Sequence, residues 1–149
     1  MYLYIFIGIG DFTVGWLSER LKSRKKTLFL FYGITILFTI LYFFQGGGTA
    51  SSFYLICMGL GFGVGFNVVY LTMGVEQFGT NLRASASISI TNMVRGFTPL
   101  LLLCFVQLRL FTGYLTAAWI IGIVVMLVSV SALYFTKESF GKELDFIEE

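Results

Sequence analysis

Four long apolar runs constrain this chain more than anything else in it: residues 27–44, 52–75, 84–107 and 112–135. A helix needs about 20 residues to cross about 30 Å of hydrocarbon, so each run can span a bilayer. A fifth run, residues 1–17, is slightly short. It lacks the basic start and small-residue cleavage site of a signal peptide, and reads as a spanning helix whose beginning is missing. A closed β-barrel would also satisfy backbone groups in lipid, but these runs are too long and show no alternation. The expected fold class is an all-α membrane protein with five transmembrane helices in one membrane domain, residues 1–149. Residues 136–149 form a soluble, acidic tail.

Composition agrees. Charged residues make up 12% of the chain and hydrophobic ones 57%, whereas a soluble domain is about a quarter charged. There is no histidine, which removes His-based metal sites and His general bases. Cys57 and Cys104 stand alone in apolar runs and read as buried fillers. No nucleophile–base pair, cofactor motif or metal-ligand spacing is present, so neither an enzyme nor a cofactor is expected. The glycine-rich "GLGFGVGF" lacks the G-x-G-x-x-G order of a dinucleotide loop.

Half of the ten Lys and Arg residues lie in "GWLSERLKSRKK", residues 15–26. Short Lys/Arg-rich loops stay cytoplasmic. That puts this loop inside, the "QGGGTASS" turn outside, "EQFGTNLR" with Arg83 inside, "LRLFTG" outside, and the tail with Lys137 and Lys142 inside. The expected location is the cell (inner) membrane, multi-pass, with the lipid bilayer as a partner. The basic run flanks the membrane, so no nucleic-acid partner is expected.

Ionisable residues inside spans cost about 2.5–3.5 kcal/mol on insertion scales and persist where they have a partner or a task. Asp11 shares a helical face with Tyr4, Gly8 and Gly15. It reads as a coupling acid or as a fixed structural partner. Arg95 lies near mid-span behind Thr91 and Asn92, one turn before Pro99, which frees a backbone carbonyl. It reads as a contact for a polar or anionic solute, or as a salt bridge, with Asp11 a possible mate. In the third span Gly59 and Gly63, and Gly61 and Gly65, are four apart, which suits close helix packing. Asn67 and Tyr70 continue the first of these stripes and read as cavity-lining, or Asn67 as a polar bond between two helices. The second and last spans are the least polar and read as lipid-facing, and the first, third and fourth as inward.

Residues 15–24 resemble the signature loop of the major facilitator superfamily, roughly G-x-L-[AS]-D-R-x-G-R-[RK]. Gly15, Leu17, Ser18, Arg20 and Arg24 match. Glu19 stands where Asp is usual, Lys22 where the loop glycine is, and Ser23 at the first basic position. Glu76 and Arg83, with six residues between them, resemble the E-x6-R feature after the corresponding spans. The resemblance covers the whole chain as spans eight to twelve of a twelve-helix bundle, a fragment of the C-terminal half. It implies a secondary active transporter of a small solute, working by alternating access with a missing N-terminal half. It also implies a cytoplasmic gate network of Gly15, Glu19, Arg20, Arg24, Glu76 and Arg83, with Arg20 pairing with Glu76. Two other classes stand beside it: a small self-associating membrane protein using the glycine stripes, and a non-transporting membrane scaffold.

Overall fold

The computed structural model describes residues 1–46 and 48–141, and among these it is helical with no strand. In chain order the helices are α1 (Tyr2–Leu21), α2 (Arg24–Phe44), α3 (Ala50–Val64), α4 (Asn67–Val75), α5 (Arg83–Thr112) and α6 (Tyr114–Phe135). The part of the expected tail beyond Gly141, including Lys142, lies outside the described residues.

Four stretches are long and apolar enough to cross a membrane: α2, α3 with α4 as Ala50–Val75, α5 and α6. α1 has the length of a span, 20 residues, but carries Asp11, Glu19 and Arg20 and falls short of the apolar character of the others. The chain is thus an all-helical, multi-pass type of protein with four clear candidate spans rather than five. Two boundaries differ usefully from those expected. α1 runs on to Leu21, so the basic cluster begins inside a helix rather than in a long loop. The third span is broken at Gly65 and Phe66.

Local chemistry sets the ends. Lys22 takes the left-handed conformation, φ 47°, and stops α1. A left-handed residue at this point is what glycine would supply without strain. Ser23 then starts α2, its hydroxyl accepting from the Lys26 N–H at 3.2 Å, the preferred role of serine at this position. Thr49 begins α3 in the same way. Gly113, φ 85°, separates α5 from α6.

The glycines of α3 face two neighbours. A Cβ on Gly61 or Gly65 would meet the α1 backbone, at Leu3 O (2.6 Å) and Gly10 C (2.4 Å). A Cβ on Gly59 or Gly63 would meet α2, at Phe38 (2.1 Å) and Thr35 (2.7 Å). Each stripe admits one helix at close range, as small residues do. By contrast, Gly8 and Gly15 face open space. The packed face of α1 is therefore the Gly10 face, not the Tyr4–Gly8–Gly15 face. Below this crossing Val14, Leu28, Phe31, Val69, Met73 and Leu133 form a core shared by α1, α2, α4 and α6.

Polarity did not show that α2 is enclosed. α2 has Thr27, Leu28, Phe31 and Thr35 buried and touches α1, α3, α4 and α6. Its threonines raise no barrier to this, because Thr27, Thr35 and Thr39 return their hydroxyls to carbonyls one turn back. α5, expected inward, has Ala86 buried among the described residues and packs mainly on α4 and α6, leaving a long exposed face. Cys104 on it is exposed and Cys57 is half-buried, so neither is a fully buried filler.

Candidate functional site

Two polar assemblies stand out, one at the charged end of the bundle and one inside it. At the charged end, Arg24 in the first turn of α2 pairs with Glu76, the residue that ends α4. An acid at a helix C-terminus faces the negative end of the helix dipole, so Glu76 needs a cation, and Arg24 supplies one. The Ser139 hydroxyl donates to the other Glu76 oxygen at 2.7 Å. Glu76 and Ser139 are both buried.

Beside this pair, the Glu138 carboxylate caps the start of α2. It accepts from the Ser23 hydroxyl, from Arg24 N–H at 3.0 Å and from Lys25 N–H at 3.2 Å. It also accepts from the Ser139 and Phe140 N–H groups, at 3.1 and 3.2 Å. Burial pushes this carboxyl up, but the hydrogen bonds from Ser23, Phe140, Lys25 and Arg24 outweigh it and hold it below the ordinary glutamate value. Lys25 completes the exchange, its ammonium donating to the carbonyls of Tyr134 and Thr136 (3.1 Å for the latter) at the C-terminal end of α6. An acid thus sits on the positive end of α2 and a cation on the negative end of α6, both favourable to the helix dipoles.

The other residues of the expected gate network are placed as follows. Arg20 lies over the Trp16 ring at 5.1 Å, so the partner of Glu76 is Arg24 and not Arg20. Glu19 is exposed, and Gly15 faces open space. Arg83 starts α5 and donates to the Phe78 carbonyl at 3.3 Å. Glu138, Ser139 and Lys25 were missed. A signal existed: Arg24, Lys25 and Lys26 crowd the first turn of α2 with no acid there, the wrong sign for a helix N-terminus, so an acid had to come from elsewhere.

The second assembly is a cleft between the α5–α6 hairpin and the remaining helices. Two adjoining hollows of about 430 and 440 Å³ share Tyr32, Tyr70 and Ser129 on their walls. Asn67 lines one and Gln77 the other. Of the expected pathway residues, Asn67 and Tyr70 meet here, while Thr91, Asn92 and Arg95 do not line it. The Thr91 hydroxyl returns to the Ser87 carbonyl at 3.0 Å. Asn92 and Arg95 are exposed on α5, beside the carbonyl that Pro99 leaves unbonded. Among the described residues no ion pair joins Arg95 to Asp11. Asp11 sits against the α3–α4 break, where a Cβ on Gly65 would lie 2.6 Å from its N atom. Its Oδ1 is buried without a hydrogen-bond partner among the described residues.

The helices and their lengths define the class: an all-helical protein with four candidate membrane spans. Comparison with known protein families, with characterised proteins and with solved structures gives no match.

Proposed function

We propose that this chain is part of a secondary transporter of a small solute, working by alternating access as spans eight to twelve of a major facilitator-like bundle. One observation carries the reading. The loop between α1 and α2 and the segment that ends α4, the two stretches with the signature resemblance, are joined by the Arg24–Glu76 pair across 52 residues of sequence. Lys22, in the left-handed form at the glycine position, supports the same reading. In it the α2 and α4 ends form a gate on the cytoplasmic side. The exposed face of α5, with Asn92 and Arg95, belongs to the solute path toward the missing N-terminal half. Asp11, an acid with one unpartnered oxygen, is the coupling candidate. The glycine stripes that motivated a self-associating protein are engaged within the chain, which leaves that reading without its main support.

The test uses cells expressing the full-length protein that carries this chain, with Cys57→Ala and Cys104→Ala as background. Single cysteines are placed by Asn67→Cys and Asn92→Cys, and their labelling by an impermeant thiol reagent is timed from each side. Ion pairs of this kind are worth about 0–1 kcal/mol, so Arg24→Glu should raise labelling from the cytoplasmic side by at most about fivefold and lower it from outside. Adding Glu76→Arg should restore part of the original pattern. Identical labelling rates in all variants would rule out a gate at this pair.

A further inference from the structure

The cleft between the hairpin and the other helices has the size, walls and unpartnered polar groups of a ligand site, and it lies within this chain. The α5–α6 hairpin is held at both ends of its α6 arm. At the charged end Glu138 and Lys25 tie it to α2, and at the other end Trp119 stacks on Phe43, ring centroids 4.5 Å apart. Between these ties the helices part. Hollows of about 430 and 440 Å³ open there, within the 300–1,000 Å³ usual for small-molecule pockets.

The walls select a chemistry. No charged side chain lines either hollow, so an ionic ligand would lose its hydration with nothing to replace it. Three hydroxyls, those of Tyr32, Tyr70 and Ser129, lie where the hollows adjoin, and Tyr32 and Ser129 face each other. The Tyr70 hydroxyl and the Asn67 amide have no hydrogen-bond partner among the described residues, and both line the same hollow. Asn67 is exposed and Tyr70 half-buried, so a ligand's hydroxyl or carbonyl can reach both without displacing an existing partner. Phe66 packs its ring on Tyr32 at 4.8 Å and Tyr70 at 6.3 Å. Met73 and Met126 supply polarizable thioethers, one to each hollow, which favour aromatic rings.

We infer that this cleft binds a small uncharged aromatic molecule carrying a hydroxyl or carbonyl group, its ring between Phe66 and the two methionines and its polar group on Tyr70, Tyr32 and Ser129. The site does not rest on the transport reading, because all the lining residues named come from this chain's own helices.

The test exploits the methionines. The chain has five, of which Met73 and Met126 line the cleft and Met93 is exposed on α5, at 74%. The full chain in phosphatidylcholine nanodiscs is irradiated with hydroxymethylbenzophenone, whose excited carbonyl inserts into nearby C–H bonds, and adducts are mapped by mass spectrometry. Adducts at Met73 and Met126 should saturate and be displaced by naphthalenemethanol, while any at Met93 should rise linearly with probe. The carboxylate analogue benzoylbenzoate should label the cleft at least about tenfold less. Tyr70→Phe or Tyr32→Phe should raise the half-saturating concentration about three- to tenfold, the loss of one hydrogen bond. Ser129→Trp, which fills the space, should abolish saturable labelling; should that variant not fold, the two phenylalanine variants decide. Linear labelling at all three methionines, equal labelling by the carboxylate, or displacement by dodecanol but not by naphthalenemethanol overturns the proposal.

Discussion

Glu138 shows how much one side chain settles at the charged end. Its carboxylate accepts from the start of α2 and from the turn after α6 at once, and its pKa is held below the ordinary value. A carboxyl depressed in the folded state stabilises the fold fully above the unfolded value, about 4.3, and that contribution is lost as pH falls through the folded value. Glu138→Gln keeps the shape and removes the charge. It should lower the Tm of the purified protein at pH 7 by about 2–4 °C, the size expected for about 1 kcal/mol in a chain of this length. The gap should close as the melts are repeated toward pH 3. A constant gap at every pH would show that shape rather than charge was lost. The sequence held only half of this arrangement. Ser23 and three cations announce a helix start that lacks an acid, but which acid comes to it depends on how α2 and α6 lie side by side.

At the scale of elements, the helices were legible from apolar length and their contacts were not. The four runs of 18 to 24 residues needed no partner to be recognised as helices. Which helix is enclosed is a different question, because in lipid the outer surface is as apolar as the core. That is why the enclosure of α2 was not legible from its polarity. Glycine spacing was the better guide, though it showed two contact faces without saying whose. The crossing of α1 and α3 turns on Gly10 and Gly65, whose backbones leave no room for a side chain. Gly65→Ala should therefore destabilise the purified protein by about 1–3 kcal/mol, the usual range for forced overpacking. Gly8→Ala, on the open face of α1, should be neutral or stabilise by up to about 1 kcal/mol, since alanine is the better helix former. Thermal melts of the two variants side by side check this. Equal losses in both would mean that α1 does not pack on α3 through its Gly10 face.

For the whole molecule, the charged ends carry the argument about how it sits in a bilayer. α2 and α6 run antiparallel, since Lys25 meets Tyr134 at one end and Phe43 meets Trp119 at the other. This brings Lys137 and Ser139, from the start of the tail, to the same end as Lys22, Arg24, Lys25 and Lys26. The candidate gate shares this end, so its position could be read from charge in the sequence, while the cleft could not. Its polar residues come from three helices, and only Asn67 and Tyr70 sat on one recognisable face. The opposite end carries the turn before Thr49 and, among the described Lys and Arg residues, Arg109, which donates to the Tyr114 hydroxyl at 2.8 Å. Lys and Arg near span ends hold their side of the membrane in the cytoplasm, so the Lys22 end should face inward. Thr49→Cys and Lys137→Cys, introduced singly with Cys57→Ala and Cys104→Ala, report on the two ends from exposed positions; Ser139 would report poorly, being 2% exposed. An impermeant thiol reagent added to intact cells should label the first and leave the second until the membrane is broken. The reverse pattern would invert the molecule and put the Arg24–Glu76 pair on the outer face. Labelling of both from outside would mean that an even number of passes lies between them, against the three passes taken in order from Thr49: out to in along Ala50–Val75, back along α5, and in again along α6.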